Sequence, residues 1–295
     1  MHPARSIILF STLSGLGFGI MFWIGVAGLP TPYYFAYYAL AFALAGAGLI
    51  SSTLHLGRPE RAWRAFSQWR SSWLSREGVA AIAALAVNGL HALLVIFAGT
   101  WIVPLGWLGA ALALATVFTT SMIYAQLRTV PRWRHWTVPA LYLTLSLAGG
   151  ALIAGWVDMA ALGLILATGL QVWHWIRGDG ALAASGTDLG TATGLGARGA
   201  VRSFEPPHTG PSYLTREMVH VVARKHARLL RILALAFGYL LPILLLFTPT
   251  PLLLIAAIHL GGLLVSRWLF FAEAEHVVGL YYGAHGAGGP GARAA

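Results

Sequence analysis

Long apolar runs, separated by short segments rich in turn residues, dominate the chain. No Asp, Glu, Lys or Arg occurs within 6–57, 78–127 or 232–266. A bilayer core of about 30 Å is crossed by about 20 apolar residues, so each run is long enough for one or two crossings. Together with the turn residues, the pattern predicts an all-α polytopic membrane protein. Its eight predicted spans are 6–28, 33–54, 77–98, 101–127, 137–156, 159–176, 229–247 and 251–271.

The basic residues predict how these spans are oriented. Of the 19 Lys and Arg residues, 17 precede span one, follow span eight, or lie between spans two and three, four and five, or six and seven. The other two, Arg231 and Arg267, lie at the ends of spans seven and eight on the same side. The short loops on the other side carry one charge, Asp158. Because basic loops stay in the cytoplasm, both termini and the long loops are predicted to be cytoplasmic. An odd number of spans would destroy this separation of charge.

Two long segments outside the spans are predicted to lie in the cytoplasm. Residues 178–215 are rich in Gly, Ala, Ser, Thr and Pro, which predicts a flexible cytoplasmic loop inside the eight-helix domain of residues 1–272. This loop is either a plain linker or a strap that lies on a cytoplasmic partner. Residues 273–295 are predicted to form a cytoplasmic tail.

Composition narrows the class of protein further. The 295 residues are 58% hydrophobic and 9% charged, whereas soluble proteins carry about 25% charged residues, so a soluble enzyme is excluded. Cysteine is absent, so the chain holds no disulfide and no iron–sulfur cluster through thiolates, and we expect no molybdenum in it. The net charge of +10 is explained by the basic loops that orient the protein in the membrane. No basic fold that would bind nucleic acid is present.

A histidine and a carboxylate fall at the same predicted membrane boundary. His55 ends span two and Glu77 begins span three. Such a pair can relay the two protons that interconversion of quinone and quinol requires, and the ordinary pKa of histidine suits this task. The alternative is that His55 only ends its helix, while Glu77 is favoured by the dipole at a helix N-terminus.

Three more polar residues are predicted at this boundary. Tyr124 and Arg128 are four residues apart and share a helix face at the end of span four. Arg267, at the end of span eight, can extend to the interface, or pair with Glu77 or Glu273. Each of the three is either part of a pocket or an anchor in the interface.

Two histidines lie well inside the predicted membrane, at similar depth on different spans. His91 belongs to span three and His259 to span eight. They are candidate axial ligands of a b-type haem. Alternatively, each is a packing histidine that is bonded to Ser, Thr or a backbone carbonyl.

The segments around these residues resemble the membrane anchor subunits of the DMSO reductase family. The resemblance rests on Ser-Thr-Leu-His-Leu-Gly-Arg-Pro-Glu-Arg-Ala from Ser52, on Leu-Ser-Arg-Glu-Gly from Leu74, and on the 124–133 and 266–282 stretches. It implies a subunit that binds an iron–sulfur protein, which in turn binds a molybdopterin catalytic subunit. It also implies that this chain holds the quinone site.

The same resemblance implies roles for particular residues. The quinol-site histidine and carboxylate of the family correspond to His55 and Glu77. Arg58, Tyr124, Arg128 and Arg267 are expected nearby from their positions. Family members are thought to lack haem, so a haem between His91 and His259 would depart from the pattern.

Topology selects among members of the family. In the DMSO-respiring members the His-Leu-Gly face is periplasmic, whereas the basic loops here place it in the cytoplasm. The chain is therefore more similar to anchors of cytoplasm-facing sulfite dehydrogenases. We expect an anchor in the bacterial inner membrane that passes electrons from sulfite oxidation on its partner to ubiquinone or menaquinone, without itself catalysing the sulfite half-reaction.

Other functions remain open from the sequence. The chain is alternatively the anchor of a DMSO, oxyanion or sulfoxide reductase that oxidises quinol, or a structural tether. A membrane transporter is the alternative from another class, but the spans contain no Asp, Glu, Lys or Arg near their centres, where transporters bind their substrates.

Overall fold

The computed structural model describes residues 2–30, 32–53, 58–202, 204–205 and 222–282. Within them, eight helices are long and apolar enough to cross a membrane, and no strand occurs. The prediction of an all-α membrane protein with eight spans is confirmed. The helices are α1 (Arg5–Ala27), α2 (Tyr34–Thr53), α3 (Trp73–Phe97), α4 (Val103–Ala125), α5 (Thr137–Ala154), α6 (Val157–Asp179), α7 (Val222–Leu235, continued by Ala236–Leu240 and Leu241–Leu245) and α8 (Leu252–Ala272).

Glycine and proline define several helix ends, as expected from their backbone chemistry. Helix α1 ends at Gly28, which has φ 71° and donates its N–H to the carbonyl of Ile24. Helix α5 ends at Gly155, with φ 87°. Glycine adopts this left-handed conformation without the clash that a Cβ atom causes. Pro104 stands in the first turn of α4, where a missing N–H costs nothing.

Helix α1 occupies the centre of the bundle and packs against α2, α4, α5 and α8. Helices α1 and α5 are the most deeply buried of the eight. They approach closely because small residues meet: a Cβ atom on Gly19 would lie 1.9 Å from the carbonyl oxygen of Ser146. Helix pairs in membranes rely on such close backbone contact, because lipid supplies no hydrophobic force between them.

The charged segments meet at one end of the bundle, which we call the basic face. It comprises residues 2–5, 58–72, 126–136, 180–202, 204–205 and 273–282. Contacts across it join distant parts of the chain; for example, Val277 donates its N–H to the carbonyl of Thr129 at 2.9 Å. At the opposite end of the bundle, Trp156 connects the start of α6 to the end of α1, because its indole N–H donates to the carbonyl of Gly28 at 3.3 Å. The separation of charge predicted from the sequence is therefore present in the fold.

The segment after α6 is more structured than its composition predicts. Helical turns form at Ala181–Ala184, Leu189–Thr193 and Gly196–Arg198. Asp188 caps the second turn by accepting a hydrogen bond from the N–H of Thr191 at 2.7 Å. The hydroxyl of Tyr281 donates to the carbonyl of Ala192. The start of the predicted tail is thus packed on the start of the predicted loop; residues 206–215 and 283–295 lie outside the described residues.

A proline inside α7 determines how α7 meets α8. Pro242 has no N–H to offer the carbonyl of Gly238, four residues earlier, and a π-helical turn forms at Ala236–Leu240. His259 of α8 lies 2.6 Å from that carbonyl oxygen through Nδ1. Since a carbonyl only accepts, Nδ1 carries the proton and donates. The imidazole thereby replaces the hydrogen bond that Pro242 removes.

Gly262→Ala tests the close contact of α7 with α8. A Cβ atom there would lie 2.0 Å from the backbone nitrogen of Gly238, so the helices must move apart. We expect a loss of about 1–3 kcal/mol in the free energy of unfolding. Gly261→Ala is the matched control, because its added Cβ would meet no described atom within 4 Å apart from the backbone of its own helix. Thermal unfolding in detergent would contradict the packing if both variants behaved alike.

Candidate functional site

Glu77 is buried one turn inside α3, at the end of the bundle that carries the basic face. Its residue is 5% exposed, and its Oε1 accepts a hydrogen bond from the hydroxyl of Thr120 on α4 at 3.3 Å. It is therefore packed between two helices and is not merely a solvated charge at a helix N-terminus. An ionisable side chain within a membrane span is expensive to bury and is typical of a functional site.

Tyr124 lies near Glu77 in an aromatic cluster that joins α4, α5 and α8. The residue is buried, and it lies within electrostatic range of Glu77 and Arg267. Its ring centre is 5.3–6.0 Å from those of Trp133, Phe270, Phe271 and Tyr142. This packing fixes the position of the Tyr124 ring.

Arg267 is buried, although the sequence allowed it to reach the interface. Its residue is 5% exposed, and its Cζ atom lies 3.6 Å from the ring centre of Tyr142. This cation–π contact is made in a desolvated setting, where such contacts are strongest. Its Nε has no hydrogen-bond partner among the described residues. The pairing considered with Glu273 does not form, because that carboxylate bonds to two other arginines.

The structure brings together only part of the predicted set. Glu77 and Arg267 are each buried near Tyr124 at the same end of the bundle, whereas Arg58 and Arg128 are exposed on the basic face. His55 lies outside the described residues. Its proposed role stays a prediction.

The two candidate haem ligands occupy separate helix interfaces. Nδ1 of His91 lies 2.6 Å from the hydroxyl oxygen of Tyr38 on α2, and His259 donates to the carbonyl of Gly238 on α7. A Cβ atom on Gly106 would lie 3.3 Å from Nε2 of His91, and one on Gly149 would lie 3.1 Å from Nε2 of His259.

This arrangement does not fit a haem held between His91 and His259. An axial ligand needs its free nitrogen open to the iron, but each Nε2 faces the backbone of a neighbouring helix. The haem interpretation stays a prediction with no support from this geometry. For His259 the bond to a backbone carbonyl is the alternative that the sequence left open.

Sequence reasoning missed a cluster of four charged residues beneath the basic face. Arg132 bonds to Asp179 at 2.6 Å and to Glu273 at 3.4 Å. Arg231 bonds to Glu273 at 2.7 Å and to Asp179 at 2.8 Å. Burial raises the pKa of Glu273 above its usual value, and the guanidinium groups of Arg132 and Arg231 oppose that rise. The cluster links α6, α7, α8 and the segment between α4 and α5.

One signal for this cluster was present in the sequence. The chain has only nine acidic residues, and Asp179 and Glu273 each follow a predicted span on the side rich in arginine. Acidic residues placed among so many bases are candidates for ion pairs. The particular partners depend on the tertiary fold.

The fold and the buried polar groups define a polytopic helical membrane protein with a polar site at one membrane boundary. Residues 31–171 match the family model for the DMSO reductase anchor subunit (DmsC). The sequence is 33% identical over 326 aligned residues to the C subunit of sulfite dehydrogenase from Allochromatium vinosum, over 96% of this chain and 99% of the relative. The chain belongs to the DMSO reductase anchor subunit family, as its motifs predicted.

Two relatives from Escherichia coli (strain K12) match a shorter region; both are subunits of anaerobic dimethyl sulfoxide reductases. The YnfH chain is 38% identical over 116 residues, which is 38% of this chain and 40% of the relative. The C chain of the second reductase is 32% identical over 112 residues, 37% of this chain and 39% of the relative. No solved structure shows significant similarity to the chain.

Arg132→Gln tests the charged cluster. It leaves the buried Glu273 with one guanidinium fewer, and breaking a buried ion pair costs about 3–5 kcal/mol. We expect the lower end of this range, because the side chain of Asp179 is 49% exposed. Arg128→Gln, in the same segment but exposed, is expected to change the free energy of unfolding by less than about 0.5 kcal/mol. Equal thermal stability of the two variants in detergent would contradict a stabilising cluster.

Proposed function

We propose that this chain is the membrane anchor and quinone-reactive subunit of a molybdopterin oxidoreductase complex in the bacterial inner membrane. Electrons pass between an iron–sulfur subunit on the cytoplasmic side and the quinone pool. The observation that carries the proposal is the 33% identity, over 96% of the chain, to the C subunit of a sulfite dehydrogenase. The substrate oxidised by the partner is accordingly proposed to be sulfite.

The reaction divides between the subunits. Oxidation of sulfite with water gives sulfate, two protons and two electrons on the catalytic partner. Reduction of quinone consumes two electrons and two protons in the membrane. This chain has no cysteine, so thiolate-bound iron–sulfur clusters belong to a partner. The tasks left to this chain are to bind the quinone head and to supply protons to it.

Glu77 is the proposed proton donor within the membrane. Its carboxyl group is buried between α3 and α4, and Thr120 orients it through one hydrogen bond. Tyr124 and Arg267 form the inner wall of the same polar region. His55 is proposed to exchange protons with the cytoplasm, and the exposed Arg58 and Arg128 to line the entrance.

The basic face has features that suit docking of a partner protein. In the 3₁₀ helix Pro59–Gln68, Trp63 is exposed and has the guanidinium of Arg64 5.6 Å from its ring centre. Next to it, Trp69 is exposed and has Arg70 at 5.7 Å. Tryptophan and arginine are enriched in protein interfaces. We propose that the iron–sulfur subunit binds here.

Glu77→Gln tests the proton-donor role, because an amide occupies the same space but carries no transferable acid proton. In the intact complex we expect sulfite-dependent quinone reduction to fall by roughly 10²-fold or more. Reduction of a soluble artificial acceptor by the catalytic partner should be unchanged. Glu60→Gln, at an exposed position of the basic face, is the matched control. Undiminished quinone reduction in Glu77→Gln would exclude the role.

His55→Ala tests the connection to the cytoplasm in the same assay. We expect quinone reduction to fall, with rescue by added imidazole, because a diffusible base can replace the missing proton carrier. Assembly is checked by copurification of the iron–sulfur and molybdopterin subunits. Unchanged turnover of an assembled complex would remove His55 from the mechanism.

A second candidate function is favoured by the similarity to the two dimethyl sulfoxide reductase chains. In that case the anchor oxidises quinol, and electrons run toward a sulfoxide or oxyanion. The two functions use the same site in opposite directions. Mass spectrometry of the copurified catalytic subunit, followed by assay with sulfite and with dimethyl sulfoxide, separates them.

A further inference from the structure

A small, partly enclosed cavity lies among α1, α4, α5 and α8, on the inner side of Arg267. It leaves about 10 Å³ for the centre of a water-sized molecule. That is about the room one water molecule requires. Its walls combine apolar side chains with a few polar ones, namely Ser11, Thr12, Tyr142, Ser146 and Arg267.

Three of the polar side chains that line the cavity have a buried atom without a hydrogen-bond partner among the described residues. These atoms are Oγ1 of Thr12, the hydroxyl oxygen of Tyr142 and Nε of Arg267. The residues are 1%, 2% and 5% exposed. Buried polar groups in folded proteins are nearly always bonded to protein or to ordered water. The side chains that carry these three atoms all line the same small cavity, so a polar molecule bound there is the partner that best accounts for them.

The neighbouring hydroxyl groups have their own partners and do not satisfy these atoms. Ser146 donates to the carbonyl of Gly15 at 2.5 Å, and Ser11 donates to that of Ile8 at 3.3 Å. Ser11 also lies beside the Tyr142 hydroxyl, but no hydrogen bond of normal length joins the two. The three unpartnered atoms thus remain available to a molecule in the cavity.

We propose that this cavity holds one structural water molecule that solvates Arg267 inside the membrane. The N–H of Arg267 Nε only donates, so the water accepts from it. The two hydrogens of the water are then donated to the hydroxyl oxygens of Thr12 and Tyr142. Three hydrogen bonds are the usual number for a buried water. A single water therefore accounts for all three atoms.

The water provides a hydrogen-bond acceptor for the charged group of Arg267, which the surrounding protein does not supply with enough acceptors. One face of the Arg267 guanidinium is covered by the Tyr142 ring, at 3.6 Å. A guanidinium has five N–H donors and no acceptor, so it needs oxygen atoms around its edge. In the hydrocarbon region, bulk water does not supply them. An internal water supplies one.

Thr12→Val tests the proposal, because valine keeps the shape of threonine but removes the hydroxyl group that holds the water. If a water is bound, the substitution lowers the thermal stability of the full chain in detergent. A dry cavity predicts the opposite sign, because valine then removes an unsatisfied buried hydroxyl. The matched control is Thr116→Val, whose hydroxyl only bonds to the carbonyl of Leu112 in its own helix.

X-ray hydroxyl-radical footprinting gives a direct readout that requires no catalytic turnover. Radicals formed from a bound water modify adjacent side chains even when these are buried. We expect Tyr142 to be modified several-fold faster than the equally buried Tyr239, whose hydroxyl bonds to Gln171 at 3.0 Å. Thr12→Val should reduce the modification of Tyr142 several-fold, whereas Thr116→Val should leave it unchanged.

Three results would overturn the proposed water site. Equal modification of Tyr142 and Tyr239, or an increased stability of Thr12→Val, would overturn the water site. Replacing chloride in the buffer by gluconate is expected to change neither measurement. A loss of stability on removing chloride would show that the cavity binds an anion instead of water, and this would also overturn the proposal. None of these results depends on whether the chain reacts with quinone.

Discussion

The hydrocarbon core of a bilayer offers no water to an unpaired polar group, and this constraint determines the helical fold and most of its internal contacts. Helices satisfy their backbone groups internally, and several buried polar side chains bond to backbone carbonyls of the same or a neighbouring helix. Pro242 leaves the Gly238 carbonyl without its helical donor, and His259 supplies another. On α3, Asn88 donates to the carbonyls of Ala84 and Gly109, at 2.8 and 3.1 Å.

The same constraint explains where the charges are found. A charge near the membrane centre is costly, so the basic residues gather at one end of the bundle. Arg132 and Glu273 are buried there, but each belongs to the four-residue ionic cluster. Glu77 has no cationic partner at salt-bridge distance among the described residues, and its single described side-chain bond is to Thr120. Stability alone does not account for a buried carboxyl group with so little support, and this supports the proposal that Glu77 is a proton donor.

The sequence predicted those features that depend on local pattern. Apolar runs determine helices, and turn residues determine where they end. The bounds of all eight spans therefore agree with the structure to within four residues, except that α7 begins seven residues earlier, at Val222. The side-chain contacts between helices could not be predicted, because they depend on how each helix is rotated relative to its neighbours. Arg132 meets Glu273 across 141 positions of sequence. Likewise, His91 and His259 were predicted at similar depth, but depth does not reveal that they point into different interfaces.

The burial of Arg267 is another contact that the sequence does not predict, and it bears on the proposed reaction. A long basic side chain at the end of a span can extend to the interface, but the ring of Tyr142 on α5 offers it an inward position. Electrons delivered to a buried quinone increase its negative charge, which is unfavourable in a medium of low dielectric constant unless protons or cations are close. In the proposed function, Glu77 provides the proton and Arg267 the positive charge, both near Tyr124. Under that proposal, this chain therefore assists electron transfer by neutralising the charge that its partner delivers.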